Sequence, residues 1–150
     1  MKPLIVAIIA LTLFTPSADA QEFGKEDSSA SLVSMTSLLA NPKGYEGDTI
    51  KVIGVLQIEF EGDELCSSKE ALEHFVTMNC LALRVDPDQI GTDRETLAKA
   101  NGEYVLVEGV FHPEDQGLWP LFSGALQKVH RIVLWERVQG VRSEVGARQK

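Results

Sequence analysis

A mostly β domain, its strands curled into a small closed barrel with a few short helices added, is the fold this sequence predicts. Two observations carry that prediction. From Ile50 to Phe60 every even position is apolar or glycine, while Thr49, Lys51, Gln57, Glu59 and Glu61 are polar; Ile53 and Val55 are the exceptions. Successive strand side chains point to opposite faces, so a period of two marks one long strand with a buried and a solvated side. A strand of this length must curve to stay inside a small domain, and Gly54 is where a bend costs least. A long bent first strand is what a small barrel needs, because it serves both halves. The second observation is order: further alternating segments follow, with a helical segment between the third and fourth strands.

The elements follow from the N-terminus. Lys2, the uncharged run Leu4–Phe14, the break Thr15-Pro16-Ser17 and the small residues of Ala18-Asp19-Ala20 have the pattern of a secretory signal peptide over residues 1–20. The apolar run is shorter than the roughly 20 residues that span a bilayer. Cleavage near Ala20 predicts a periplasmic or secreted protein beginning at Gln21. The residue directly after the cleavage site is Gln21 and not cysteine, so nothing supports a lipid anchor. About 130 residues then remain, enough for one domain with its own core. Residues 21–30 are polar and small and read as a flexible leader, residues 31–136 as the domain, and residues 137–150, which lack periodicity, as a flexible tail.

Leu32, Met35, Leu38 and Leu39 sit at helical spacing, with Ser31 or Ser34 as cap and Asn41-Pro42 as the stop. The long strand follows, then a turn at Gly62-Asp63 and a short second strand at Glu64–Cys66. Ser67-Ser68-Lys69-Glu70 reads as a capping box opening a helix whose buried stripe is Leu72, Phe75 and Val76. Cys80 opens the third strand, in which Leu81, Leu83 and Val85 alternate with Ala82 and Arg84. Thr92-Asp93-Arg94-Glu95 is a second capping box, and Asn101-Gly102 a turn. Glu103–His112 is the fourth strand, with Val105, Val107 and Phe111 on one face. A loop over 113–124 leads to the fifth strand, 125–135. Five strands with a helix between the third and fourth match the five-stranded OB-like Greek-key barrel, here with an N-terminal helix and two short helices. The alternative is an open five-stranded α+β sheet.

Several strings resemble a family of small, largely uncharacterised exported bacterial proteins similar to OB-fold domains. They are Asn41-Pro42, Tyr45-x-Gly47, Val52-x-Gly54, Glu59-Phe60-Glu61-Gly62, Ser68-Lys69-Glu70, Gly102-x-Tyr104-Val105, Val107-Glu108-Gly109-x-Phe111, Phe122-Ser123-Gly124 and Arg131-Ile132. The likeness spans residues 31 to about 135 and lies mostly in turns, caps and core positions. It implies an exported OB-like protein and brings no reaction and no catalytic residue with it.

The chemistry-bearing residues are sparse. Cys66 and Cys80 are the two cysteines; in an oxidising compartment a bond between them would close a loop of about 15 residues, worth ~3 kcal/mol. The alternative is two packed thiols. A formal net charge of −8 disfavours nucleic-acid backbones as partners. Glu59, Glu61, Asp63 and Glu64 offer oxygen ligands, but without the spacing of a calcium loop, and read as an acidic edge that discourages strand pairing. His74, His112 and His130 are scattered, there is no nucleophile elbow and no phosphate loop, so no cofactor, metal or catalytic residue is expected. Glu108, in an otherwise apolar strand, either accepts structural hydrogen bonds or meets a ligand. The loop with Gly117, Trp119, Pro120, Phe122 and Gly124 joins the last two strands, where OB-folds build one wall of their binding site. Trp119 and Phe122 either stack on a sugar or partner or plug the barrel end. The expected binding residues are therefore Trp119, Phe122, Tyr104, Arg84 and Glu108. The expected function is a non-enzymatic extracytoplasmic binding or accessory module for an envelope protein or oligosaccharide. The alternatives are a small metal-dependent or hydrolytic envelope enzyme using Glu59, Glu61 and His112, or a structural component of an envelope complex.

Overall fold

The computed structural model describes residues 21–117 and 121–135. The predicted signal peptide, the tail from 137 and Trp119 lie outside the described residues. Its strands are β1 (Glu22–Gly24), β2 (Ser31–Leu32), β3 (Thr49–Gln57), β4 (Asp63–Cys66), β5 (Cys80–Val85), β6 (Tyr104–His112) and β7 (Ala125–Leu134). Its short helices are α1 (Met35–Ala40), α2 (Lys69–Glu73), α3 (Pro87–Ile90) and α4 (Arg94–Ala98).

Five of the strands close on themselves. β3 pairs antiparallel with β4 and β6, β4 with β5, and β6 with β7; a parallel pairing of β5 with β7 completes the ring. This is an OB-like barrel, with α3 and α4 in the connection from its third to its fourth strand. The open-sheet alternative is thereby excluded. β3 serves both halves as its length requires: Thr49–Val55 pair with β6, and Val55–Gln57 with β4. Gly54 lies at the changeover. A Cβ there would meet the Cys66 carbonyl oxygen and Leu65 Cγ, each at 2.7 Å. Gly54→Ala is therefore expected to cost about 2 kcal/mol, as other overpacked sites do, read as a lower urea midpoint with an unchanged m-value.

The interior follows the alternation. Ile50, Val52, Leu56 and Ile58 from the long strand meet Leu65, Leu81, Leu83, Val105, Val107, Phe111, Leu126 and Ile132, and Ile90 and Leu97 from the helices cap the cluster. Four local expectations are corrected. Residues 21–30 do not form a free leader: Glu22–Gly24 pair with Arg131–Val133 of β7, Phe23 packs on the core and Ala30 is buried. The first helix starts later than its apolar spacing suggests, because Ser34 is its cap, accepting the Ser37 N–H at 3.1 Å. Ser31–Leu32 instead run parallel to β3. The long strand stops at Gln57, since the Asn101 side chain bonds Ile58 N–H at 2.8 Å and its carbonyl at 3.1 Å, in place of a ladder. Phe60 is consequently outside. Finally, α2 ends at Glu73, so its stripe never reaches Phe75 and Val76, which are exposed. The caps of α2 and α4 are Ser68 and Asp93, each one residue after the predicted position.

Candidate functional site

An open cleft of about 380 Å³ lies where the β3–β4 turn faces the end of β5, lined by Glu59–Asp63, Leu83–Asp86 and Arg94. The turn is held from below. Asp63 is nearly buried, and the Arg94 guanidinium donates to its two oxygens at 2.8 and 2.6 Å and to the Glu59 carbonyl at 2.7 Å. The hydrogen bond to Asp63 raises the Arg94 pKa further above its usual value. Arg94→Ala would strand a buried carboxylate; a loss of about 2 kcal/mol is expected from thermal unfolding, together with a rise in hydrogen exchange across 59–63.

The opposite wall is the end of β5, and its Arg84 is braced by the β6–β7 loop. Asp115 holds Arg84 through two hydrogen bonds, to Nε at 3.2 Å and Nη2 at 2.8 Å. It also accepts from Gln127 Nε2 at 2.8 Å and from the Gly117 N–H at 3.1 Å. Burial works against this carboxylate, but the bonds from Arg84, Gln127 and Gly117 outweigh it and hold its pKa below the ordinary range. Arg84 is thus held at the cleft by a two-point bond to Asp115, with its Nη1 not engaged by these bonds. On the turn that forms one wall, Phe60 is fully exposed, at 101% of its reference area. Glu64, behind the turn, has its pKa raised by burial and by the charge of Glu59.

Among the described binding candidates, Arg84 alone lines the cleft; Glu59 and Glu61 of the enzyme alternative line it too. Phe122 is half-buried and packs on Cys66, Cys80 and Ala71, beneath the same loop. Tyr104 is partly exposed at the start of β6 beside Val55, and its carbonyl accepts the Trp135 N–H at 2.7 Å. Glu108 is fully buried on the far side of the barrel. Its carboxylate accepts from Arg131 Nη1 and from the Asp27 N–H at 3.0 Å, with Lys51 Nζ at 3.8 Å. That is the structural arrangement of the two considered for it. Cys66 and Cys80 form a disulfide, both buried. The one convergence of metal-ligating side chains among the described residues is Glu64 with these two cysteines, and the bridge occupies both sulfurs. Glu59 and His112 lie beyond opposite ends of β3, so the triad of the enzyme alternative is not assembled.

Phe60 and Arg94 are the cleft residues that sequence reasoning passed over. Arg94 carried a readable signal: a cation in the first turn of a helix opposes the helix dipole, so it implies a carboxylate partner.

No family model matches the chain, and no curated protein matches it. Among solved structures it is similar to one described as a "putative aspartyl-tRNA synthetase" from Leishmania major Friedlin, at 12% identity and a TM-score of 0.42. The likeness covers 76% of this chain and 22% of that one, so this chain spans about a fifth of the synthetase's length. The barrel assignment stands on the strand pairing itself.

Proposed function

We propose that this is a non-enzymatic extracytoplasmic binding or accessory module, belonging with the small exported bacterial proteins its motifs resemble. In this reading it takes an envelope protein or oligosaccharide in the cleft between the β3–β4 turn and β5. One observation carries it: a fully exposed aromatic residue, Phe60, lines the same cleft as a guanidinium, Arg84, already fixed by Asp115. An aromatic platform next to a pre-oriented planar donor lowers the ordering cost of binding. The buried disulfide supports an oxidising compartment. No helix among the described residues is long and apolar enough to cross a membrane. The test is a chemical-shift titration of the labelled protein with cell-wall oligosaccharides and with purified envelope proteins. Shifts at Phe60, Arg84 and Asp115 are expected. Shifts confined to Phe23–Asp27 and Lys51, on the far side, would overturn it.

A further inference from the structure

A second surface, independent of the cleft, surrounds the turn after α2. This turn closes as a Schellman motif, with Phe75 N–H bonded to the Leu72 carbonyl at 3.2 Å and Val76 N–H to the Ala71 carbonyl at 2.8 Å. The residue just past the cap then takes a left-handed conformation, which glycine adopts without penalty. Here it is Phe75, at φ 54°. A bulky residue in that region is strained, and no burial compensates, because the ring is 82% exposed.

The exposed apolar surface extends beyond that ring. Val76, Met78 (65%) and Leu121 (50%) are also exposed. Ser123 Oγ donates to the Met78 carbonyl at 2.7 Å, which ties the segment carrying Leu121 to the same corner. The Cys66–Cys80 bridge pins both ends of the segment 67–79 that carries α2 and this turn. The result is an apolar shelf on a rigid base, with one side chain held outward at a conformational cost. Such strain is retained where function requires the geometry.

Charge decides the occupant. Glu70 and Glu73 of α2 are exposed beside the shelf, Lys69 lies 3.8 Å from Glu103, and the whole chain carries −8. A second copy docked face to face would bring these glutamates against their own equivalents, and an anionic bilayer would meet the same repulsion. We infer that Phe75, Val76, Met78 and Leu121 dock a segment of another protein, one presenting aliphatic side chains flanked by lysine or arginine.

Phe75→Gly separates this role from a structural one. Glycine relieves the backbone strain, so the variant is expected to melt about 3 °C higher while losing the docking side chain. The probe is a short synthetic peptide of alternating leucine and lysine, with a leucine–glutamate peptide of the same length as control. With the lysine peptide, amide shifts are expected at 73–79 and 121–123, and affinity should fall at least tenfold in Phe75→Gly. Met78→Ser, which leaves the turn intact, should weaken it as well. The glutamate peptide should not bind. The inference is overturned if the lysine peptide binds both variants as it binds the parent, or shifts residues elsewhere. It is equally overturned if the shelf takes only phosphatidylglycerol vesicles, or only a second copy in a dimer that Phe75→Gly abolishes in sedimentation.

Discussion

Glu108→Ala is expected to lower the unfolding free energy by about 3 kcal/mol, because Arg131 and Lys51 lose a buried counter-charge and keep only the more exposed Glu22 and Glu26. The carboxylate has no exposed surface. Around it stand Arg131, Lys51 and His130, the last with Nε2 3.5 Å from Glu108 Oε2. Arg131 and Lys51 are themselves largely covered, with 14% and 15% of their side chains exposed. Removal of the anion leaves two poorly hydrated cations facing each other, and the Asp27 N–H loses its acceptor as well. Arg131 would keep Glu22, at 2.6 Å, and Glu26 at 3.7 Å, so the site would not be stripped of negative charge. Glu108→Gln, which retains an acceptor oxygen and loses the charge, should cost less. Replacing Glu108 and Arg131 together by methionine should recover much of the loss, as an apolar pair does in place of a buried ion pair. Urea unfolding of the single and double variants measures all three. A loss under 1 kcal/mol for Glu108→Ala would show that Glu22 and Glu26 alone are sufficient for the cations.

Removing the disulfide is the second large effect. Cys66→Ala with Cys80→Ala opens a loop of 14 residues in sequence separation, and loop-closure entropy sets the loss at about 3 kcal/mol. The bridge joins residues already opposite each other in the β4–β5 ladder, so the native geometry should survive its loss. The effect therefore falls mainly on the unfolded state. Thermal unfolding should show the parent destabilised by reductant once the bond is reduced, and the double variant indifferent to reductant. Equal melting temperatures for parent and variant would mean that the unfolded chain is already compact between residues 66 and 80.

The barrel was legible because a closed sheet has one interior, and the even positions from Ile50 to Ile58 report it directly. Glu108 was also legible as a position needing partners, since a carboxylate between Val107 and Gly109 has to be solvated or paired. Its partners were not, because Arg131 and Lys51 come from other strands and local pattern says nothing about their distance. β1 was missed for the same reason: Glu22-Phe23-Gly24 has no strand signal of its own, and it is ordered by β7, more than 100 residues away, where Glu22 meets Arg131. At the candidate cleft, Arg84 was read from its place on the third strand. Phe60 was assigned to the interior because the alternation continues through it, whereas the strand ends three residues earlier, where Asn101 bonds Ile58. Phe75 was read as core because a helical period was carried past the point where the helix stops.

The parallel seam between β5 and β7 has a consequence for how the chain reaches its folded state. Ala82 pairs with Ala125 and Val85 with Val129, and β1 cannot be seated until residues 131–133 are present. Every cylinder-closing pairing thus waits for a segment near the end of the described chain, and such distant pairings form slowly. A nascent polypeptide of this design stays unsealed during most of its synthesis. The finished shell is therefore assembled only once the last strand is at hand, and a chain shortened before it would stay slack.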